Sequence, residues 1–357
     1  MASPLVRSSR LSDADVSVFL KLETVHPPMS FKWRGMSHFI RRAKEVHGPN
    51  VHAIIASGGN AGIAAAAAAR VLDVRCTVLL PDWAAQATID VLKRDNANVL
   101  VGGKDYQAVL DASRKLAEET ENGLVVPAYD DPIVWEGHSS MITELAEQLA
   151  TKPSAIFCSV GGAGLLGGII TGCARVGWQD VPIVALETIG SDCFYHSMAL
   201  NRGASPTSLP DGVTVLRDEV NSVDLARFST FSSKASGSLG ASSPAAGVVK
   251  MALDRAGPVT CVTLPDELSM QAASAFADDH KLLVELACST TLVPAYKRAL
   301  LDQLVPPTTS PRHCVFIVCG GYKVSVDDVI GYRAQVAAWP RDSFEVYCDG
   351  RVIQVEK

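Results

Sequence analysis

The strongest constraint on the fold is a unit that recurs along the chain: a short apolar run, a glycine turn, then a helical stretch. Residues 51–56 form such a run, pass through Ser57-Gly58-Gly59-Asn60-Ala61-Gly62 and enter an alanine-rich helix that reaches Arg70. Residues 155–159 do the same, through Gly161-Gly162-Ala163-Gly164 into a helix over 169–175. The runs at 16–22, 76–81, 98–101, 124–127, 181–187, 259–262 and 314–319 read as further strands. Residues 36–47, 86–94, 106–119, 135–150, 245–254 and 266–278 have helical spacing, and 282–289 lead into another helix that runs to Leu304. Strands and helices alternating at this length predict an α/β protein built on mostly parallel sheets, with helices covering both faces.

With 357 residues the chain is long enough for two such units. The net charge of -6, with no basic run beyond Arg41-Arg42-Ala43-Lys44, argues against a nucleic-acid partner and toward small-molecule chemistry. The nine cysteines are scattered without a Cys-x-x-Cys pair, as expected for reduced, buried thiols of a cytoplasmic protein rather than a zinc site. The longest low-polarity stretch, 63–69, is too short to cross a bilayer, so no membrane partner is expected. Residues 1–10 carry Arg and Ser in the manner of a transit peptide, but the first strand follows almost at once, and they read as part of the mature chain.

In open α/β sheets ligands bind at the carboxyl ends of strands. Four polar or glycine clusters stand at such ends, at 57–62, 161–164, Glu187 and Cys319-Gly320-Gly321, and they are expected to converge. Lys32 lies in the apolar and aromatic run Pro28-Met29-Ser30-Phe31-Lys32-Trp33-Arg34-Gly35. Such neighbours desolvate an amine, lower its pKa and free its lone pair for a Schiff base. The glycine cluster at 161–168 can cradle a phosphate on backbone N–H groups; it lacks the Gly-Lys-Ser/Thr ending of a Walker loop and fits Gly-x-Gly-x-x-Gly poorly. His138, near a helix start, reads as a packed side chain outside the catalytic set. Residues 201–243, rich in Ser, Gly, Pro and Asp, read as a long loop or insertion.

Taken in order, the lysine after Ser-Phe, the Ser-Gly-Gly-Asn-Ala-Gly loop, the glycine-rich loop and the Cys-Gly-Gly strand end resemble the serine/threonine dehydratase family. These are pyridoxal-phosphate enzymes of fold type II, the tryptophan-synthase-β-like fold. The resemblance implies a large cofactor-binding domain from 1–34 and 136–345, a small domain over 35–135 carrying the asparagine loop, and a C-terminal tail at 346–357. It implies that Lys32 forms the Schiff base with pyridoxal 5'-phosphate and serves as general base, with Phe31 packed beside the ring. Ser57, Gly58, Gly59, Asn60 and Ala61 would bind the substrate carboxylate, and Asn60 also the cofactor's phenolic oxygen. Gly161, Gly162, Ala163, Gly164 and Leu165 would hold the phosphate, and Cys319 would face the pyridine nitrogen. Glu187, with Ser191 and Cys193, resembles a site for a monovalent cation such as K+. The implied activity is β-elimination from L-serine or L-threonine to a 2-oxo acid and ammonia, by a homodimer acting on a small amino acid. Two alternatives stay open: a β-replacement synthase or lyase for another β-substituted amino acid on the same scaffold, and a non-catalytic or nucleotide-binding α/β protein with a structural Lys32. Cys319 favours the first reading, since sulfhydrylase relatives usually carry serine there. The chain departs from the family pattern at Ala163, at Leu286 and Ser289-Thr290-Thr291, and at Tyr322-Lys323, where a small polar pair is usual.

Overall fold

The computed structural model describes residues 2–104, 106–203 and 209–357, Tyr106 by its backbone alone. In chain order the strands are β1 (Leu5–Arg7), β2 (Val16–Leu22), β3 (His52–Ala56), β4 (Arg75–Leu80), β5 (Asn98–Val101), β6 (Gly123–Val125) and β7 (Ala155–Ser159). They continue as β8 (Ile183–Thr188), β9 (Val213–Asp218), β10 (Val223–Phe228), β11 (Val259–Leu264), β12 (Arg312–Val318), β13 (Ser343–Cys348) and β14 (Arg351–Glu356). An eight-stranded sheet runs β1-β2-β12-β7-β8-β11-β13-β14. Its five middle strands are mutually parallel, and β1 and the β13–β14 hairpin close the two edges in antiparallel pairing. A second, four-stranded sheet, β5-β4-β3-β6, is parallel throughout.

Burial follows from this layout. Every residue of β7 and β8 is buried, because helices cover both faces of a parallel sheet, which is why these strands run apolar without alternation as far as Cys158 and Leu186. The large sheet and its helices share one apolar core. The small sheet has its own, centred on the helix Asn60–Leu72, whose Ala61 and Ala64 to Ala69 are all buried. Alanine there lets the helix lie close against both the sheet and the neighbouring helix Lys32–His47.

Three expectations are corrected. The segment 201–243 is not a plain loop: β9 and β10 form a hairpin within it and Ser236–Leu239 a short helix, while 204–208 lie outside the described residues. Residues 346–357 are not a tail, since β13 and β14 extend the large sheet and bury Phe344, Val346, Ile353 and Val355. The helix read through Leu304 is two helices, Leu286–Tyr296 and Arg298–Leu304, separated at Lys297, whose extended ψ of 83° interrupts the turn.

Candidate active site

Strands β2, β12, β7 and β8 are near neighbours in the sheet, so the segments after their carboxyl ends meet above one edge. Backbone bonds lock the first two together: Phe31 N–H donates to the Cys319 carbonyl at 2.9 Å, Gly321 N–H to Met29 at 3.0 Å, and Ser30 bridges Gly320. This places Lys32, the first residue of the helix Lys32–His47, directly after the strand-end pairing. Its Nζ donates to the Ala128 carbonyl at 2.5 Å and lies 5.3 Å from the Phe31 ring centroid. Burial lowers its pKa from 10.5 to about 8, with Cys319 opposing the shift and Lys323 adding to it. The Cys319 sulfur is 3.4 Å from Ser159 Oγ at the end of β7, and the Cys319 N–H donates to the Cys288 sulfur at 3.1 Å.

The glycine loop follows β7. Ala163 precedes the helix Gly164–Arg175 at φ 67°, in the left-handed region where a Cβ is unfavourable, and no side chain caps the helix. The first-turn N–H groups are thus open to an anion at the positive end of the helix dipole. The loop is also tightly walled. A Cβ at Gly162 would stand 2.5 Å from the Tyr129 ring, and one at Gly161 2.9 Å from the Leu239 carbonyl.

The asparagine loop reaches the same place from the small sheet. Ser57 Oγ accepts the Gly59 N–H at 3.3 Å, and a Cβ at Gly62 would stand 1.9 Å from the Ser57 carbonyl, so that position admits only glycine. Gly58 and Ala61 flank Gly59 and Asn60 at the start of the helix Asn60–Leu72. The Asn60 amide donates to both oxygens of Glu285, at 3.0 and 3.1 Å, while its own Oδ1 is buried with no partner among the described residues. Glu285 also accepts from the Ser238 hydroxyl at 2.6 Å and the Lys323 N–H at 3.2 Å. Sequence reasoning missed Glu285 and Ser238 as site residues; a lone carboxylate inside the apolar run 282–288 was the available signal.

Glu187, the penultimate residue of β8, is fully buried, and its two oxygens accept the N–H groups of Phe194 at 3.0 Å and Tyr195 at 2.6 Å, capping the helix Cys193–Asn201. Burial, and then the nearby Asp192 carboxylate, push its pKa well above the carboxylate range. Nearby, Ser191 Oγ is buried without a partner among the described residues, and the Cys193 sulfur lies 3.6 Å from the Gly161 carbonyl, tying this corner to the glycine loop. His138 is fully buried between Gly35 and Gly168, 4.8 Å from the Phe31 ring. Burial pushes its pKa well down, with Lys32 adding to the shift, so it backs Phe31 as a neutral ring. Tyr322 packs against the core of the small sheet, whereas the exposed Lys323 turns toward the cleft.

The sequence model of the pyridoxal-phosphate dependent enzymes matches residues 2–320. A Bos taurus protein named L-serine dehydratase/L-threonine deaminase is 34% identical over 342 residues, 94% of this chain and 95% of its own. A Mus musculus protein named serine dehydratase-like is 36% identical over 338 residues, 94% of each chain. The crystal structure of a fungal L-serine ammonia-lyase from Rhizomucor miehei superposes with a TM-score of 0.81 at 29% identity, covering 94% of this chain and 98% of that one.

Proposed function

This chain belongs to the pyridoxal-phosphate dependent enzyme family, within its serine/threonine dehydratase group, and from that premise we propose that it is an ammonia-lyase that converts L-serine and L-threonine to a 2-oxo acid and ammonia. The observation that carries the reading is a half-buried, desolvated amine, Lys32 with its pKa lowered to about 8, set beside an uncapped glycine loop and a thiol at one sheet edge. The residues present fit the cofactor. The glycine loop offers a phosphate its backbone N–H groups, and Asn60 Oδ1 is a buried polar atom lacking a partner among the described residues. Once bound, pyridoxal phosphate supplies the electron sink that lets a Cα proton leave.

The chain's own residues do the rest. Lys32 Nζ, poised near neutral pH, takes and holds that proton. The N–H groups of Ser57 to Ala61, at the start of the helix Asn60–Leu72, hold and orient the substrate carboxylate. Glu285 keeps Asn60 in register by accepting both bonds from its amide. Cys319, beside Ser159, would offer the ring nitrogen a thiol in place of a carboxylate and so favour elimination over fuller carbanion chemistry. Glu187, the orphaned Ser191 hydroxyl and the Cys193 region would take a monovalent cation, which would offset two neighbouring buried carboxylates, Glu187 and Asp192. The same reading makes the enzyme a cytoplasmic homodimer that acts on a free amino acid and engages neither nucleic acid nor membrane; all nine cysteines are free buried thiols, as a reducing compartment requires.

The test is to assay the purified protein with L-serine and L-threonine for 2-oxo acid and ammonia, in potassium and in lithium salts. Turnover that is lost in Lys32→Ala and depressed in lithium is the expected result. A wild type that binds no pyridoxal phosphate, or a fully active Lys32→Ala, would overturn it.

A further inference from the structure

Lys323 stands where three walls of the cleft meet. Its N–H is held by Glu285 at 3.2 Å, and its Nζ donates to the Gly237 carbonyl at 2.5 Å. On the other side its ammonium presses on the asparagine loop, where a Cβ at Gly59 would stand 2.9 Å from Nζ. The side chain therefore spans from the Cys319-Gly320-Gly321 strand end, over the loop that receives the substrate carboxylate, to the short helix Ser236–Leu239 that also walls the glycine loop. The facing charged groups are Lys32, Lys323 itself and Glu285. Glu285 is already engaged by Asn60, Ser238 and the Lys323 backbone. The surrounding walls partly desolvate the exposed Lys323 and lower its pKa, with Glu285 opposing the shift. Among the described residues, Lys323 Nζ bonds a carbonyl and pairs with no carboxylate.

A substrate with one carboxylate does not use this arrangement. The backbone N–H groups after Ser57 already provide for the carboxylate on Cα, which leaves a second cationic donor at the cleft mouth without an anion. Resting on the ammonia-lyase reading above, we propose that Lys323 recognises a second carboxylate carried on Cβ, so that the preferred substrate class is a β-hydroxy amino dicarboxylic acid, 3-hydroxyaspartate being its simplest member. The chemistry balances without an oxidant or reductant. The Cα–H and Cβ–O bonds break, Cα=Cβ forms, and the hydroxyl leaves as water. The resulting enamine tautomerises to an imine, whose C=N bond takes up water and releases ammonia and a 2-oxo dicarboxylic acid.

The experiment compares wild type, Lys323→Asn and Lys323→Arg holoenzymes in two ways. The first is kcat/KM on 3-hydroxyaspartate relative to L-serine. The second is calorimetric binding of L-aspartate relative to L-alanine, neither of which has a leaving group on Cβ. Wild type is expected to favour the dicarboxylic compound in both ratios by roughly tenfold or more, the weight of one charge-assisted hydrogen bond. Lys323→Asn should erase both preferences and Lys323→Arg largely keep them. Wild-type ratios near one, or equal losses for mono- and dicarboxylic ligands in Lys323→Asn, would overturn the assignment and make Lys323 an α-carboxylate contact or a structural strap. Should Lys323→Asn not fold, the wild-type ratios alone decide. Absence of 2-oxo acid from every amino acid would instead sink the ammonia-lyase reading beneath it.

Discussion

A protonated Lys32 burdens the folded chain. It begins a helix, where the positive end of the macrodipole lies, and burial lowers its pKa from 10.5 to about 8. The unfolded chain keeps the higher value, so between about pH 8 and 10.5 it binds one proton more than the folded chain, and stability rises with pH across that window. Lys32→Met in cofactor-free protein is therefore expected to raise the unfolding free energy at pH 7, and the gain should shrink as pH approaches 10. Urea unfolding at the two pH values measures this, and a gain independent of pH would contradict it. The lysine was legible from its apolar neighbours in sequence, but its bond to the Ala128 carbonyl was not, because that contact joins residues 96 apart. Ala163 shows the converse. Sequence marked it as a departure, and its φ of 67° reveals that the position does need left-handed backbone, which costs an alanine about 1 kcal/mol.

The helix Val326–Ala337 follows the Lys323 segment and anchors it. Ser325 Oγ accepts the Asp328 N–H at 3.1 Å while the Asp328 carboxylate accepts the Ser325 N–H at 2.8 Å, a reciprocal capping box. Ser325→Ala should lower stability by about 1 kcal/mol, read as a shift in the urea midpoint; an unchanged midpoint would show that tertiary packing alone holds this helix. The cap was legible as Ser-x-x-Asp, and the β13–β14 hairpin as Asp349-Gly350 between alternating strands, yet both were passed over because the motifs carrying chemistry end at Cys319-Gly320-Gly321. The strands that position the site were legible for the opposite reason. Strands β5 and β7 and the helices Gln86–Arg94 and Tyr106–Glu119 fall where their spacing predicts, because each is a local pattern with one clear period. The Glu285 hub was not, since it joins the start of one helix to the start of another across two sheets.

Across the whole molecule, a buried charge network ties the N-terminal segment to the helices Lys32–His47 and Pro132–Gln148. Arg34 donates to Glu23 at 2.6 and 2.9 Å and to Glu144 at 2.7 Å through each terminal nitrogen, while Lys21 donates to Glu144 at 2.7 Å. Burial alone would raise the Glu23 pKa, but His26 and Arg34 overcome it and bring it from 4.5 to about 2. The stability this carboxylate contributes is present above pH 4.5 and lost as pH falls toward 2. Glu23→Gln should therefore be less stable than wild type at pH 7 and flatter in stability between pH 4.5 and 2.5; parallel pH profiles in thermal melts would refute the role. The sheet order has a consequence of another kind. Strand β12 lies between β2 and β7, although 289 residues separate its start from the end of β2. Until the ribosome has released β12, the two strands that bear Lys32 and the glycine loop have no shared neighbour, and the middle of the sheet is two open edges. A nascent chain shorter than this has every motif but one and nowhere to seat a cofactor, so the enzyme is assembled by its last parallel strand, and the stretch of synthesis before it is when the chain most needs protection from pairing with others.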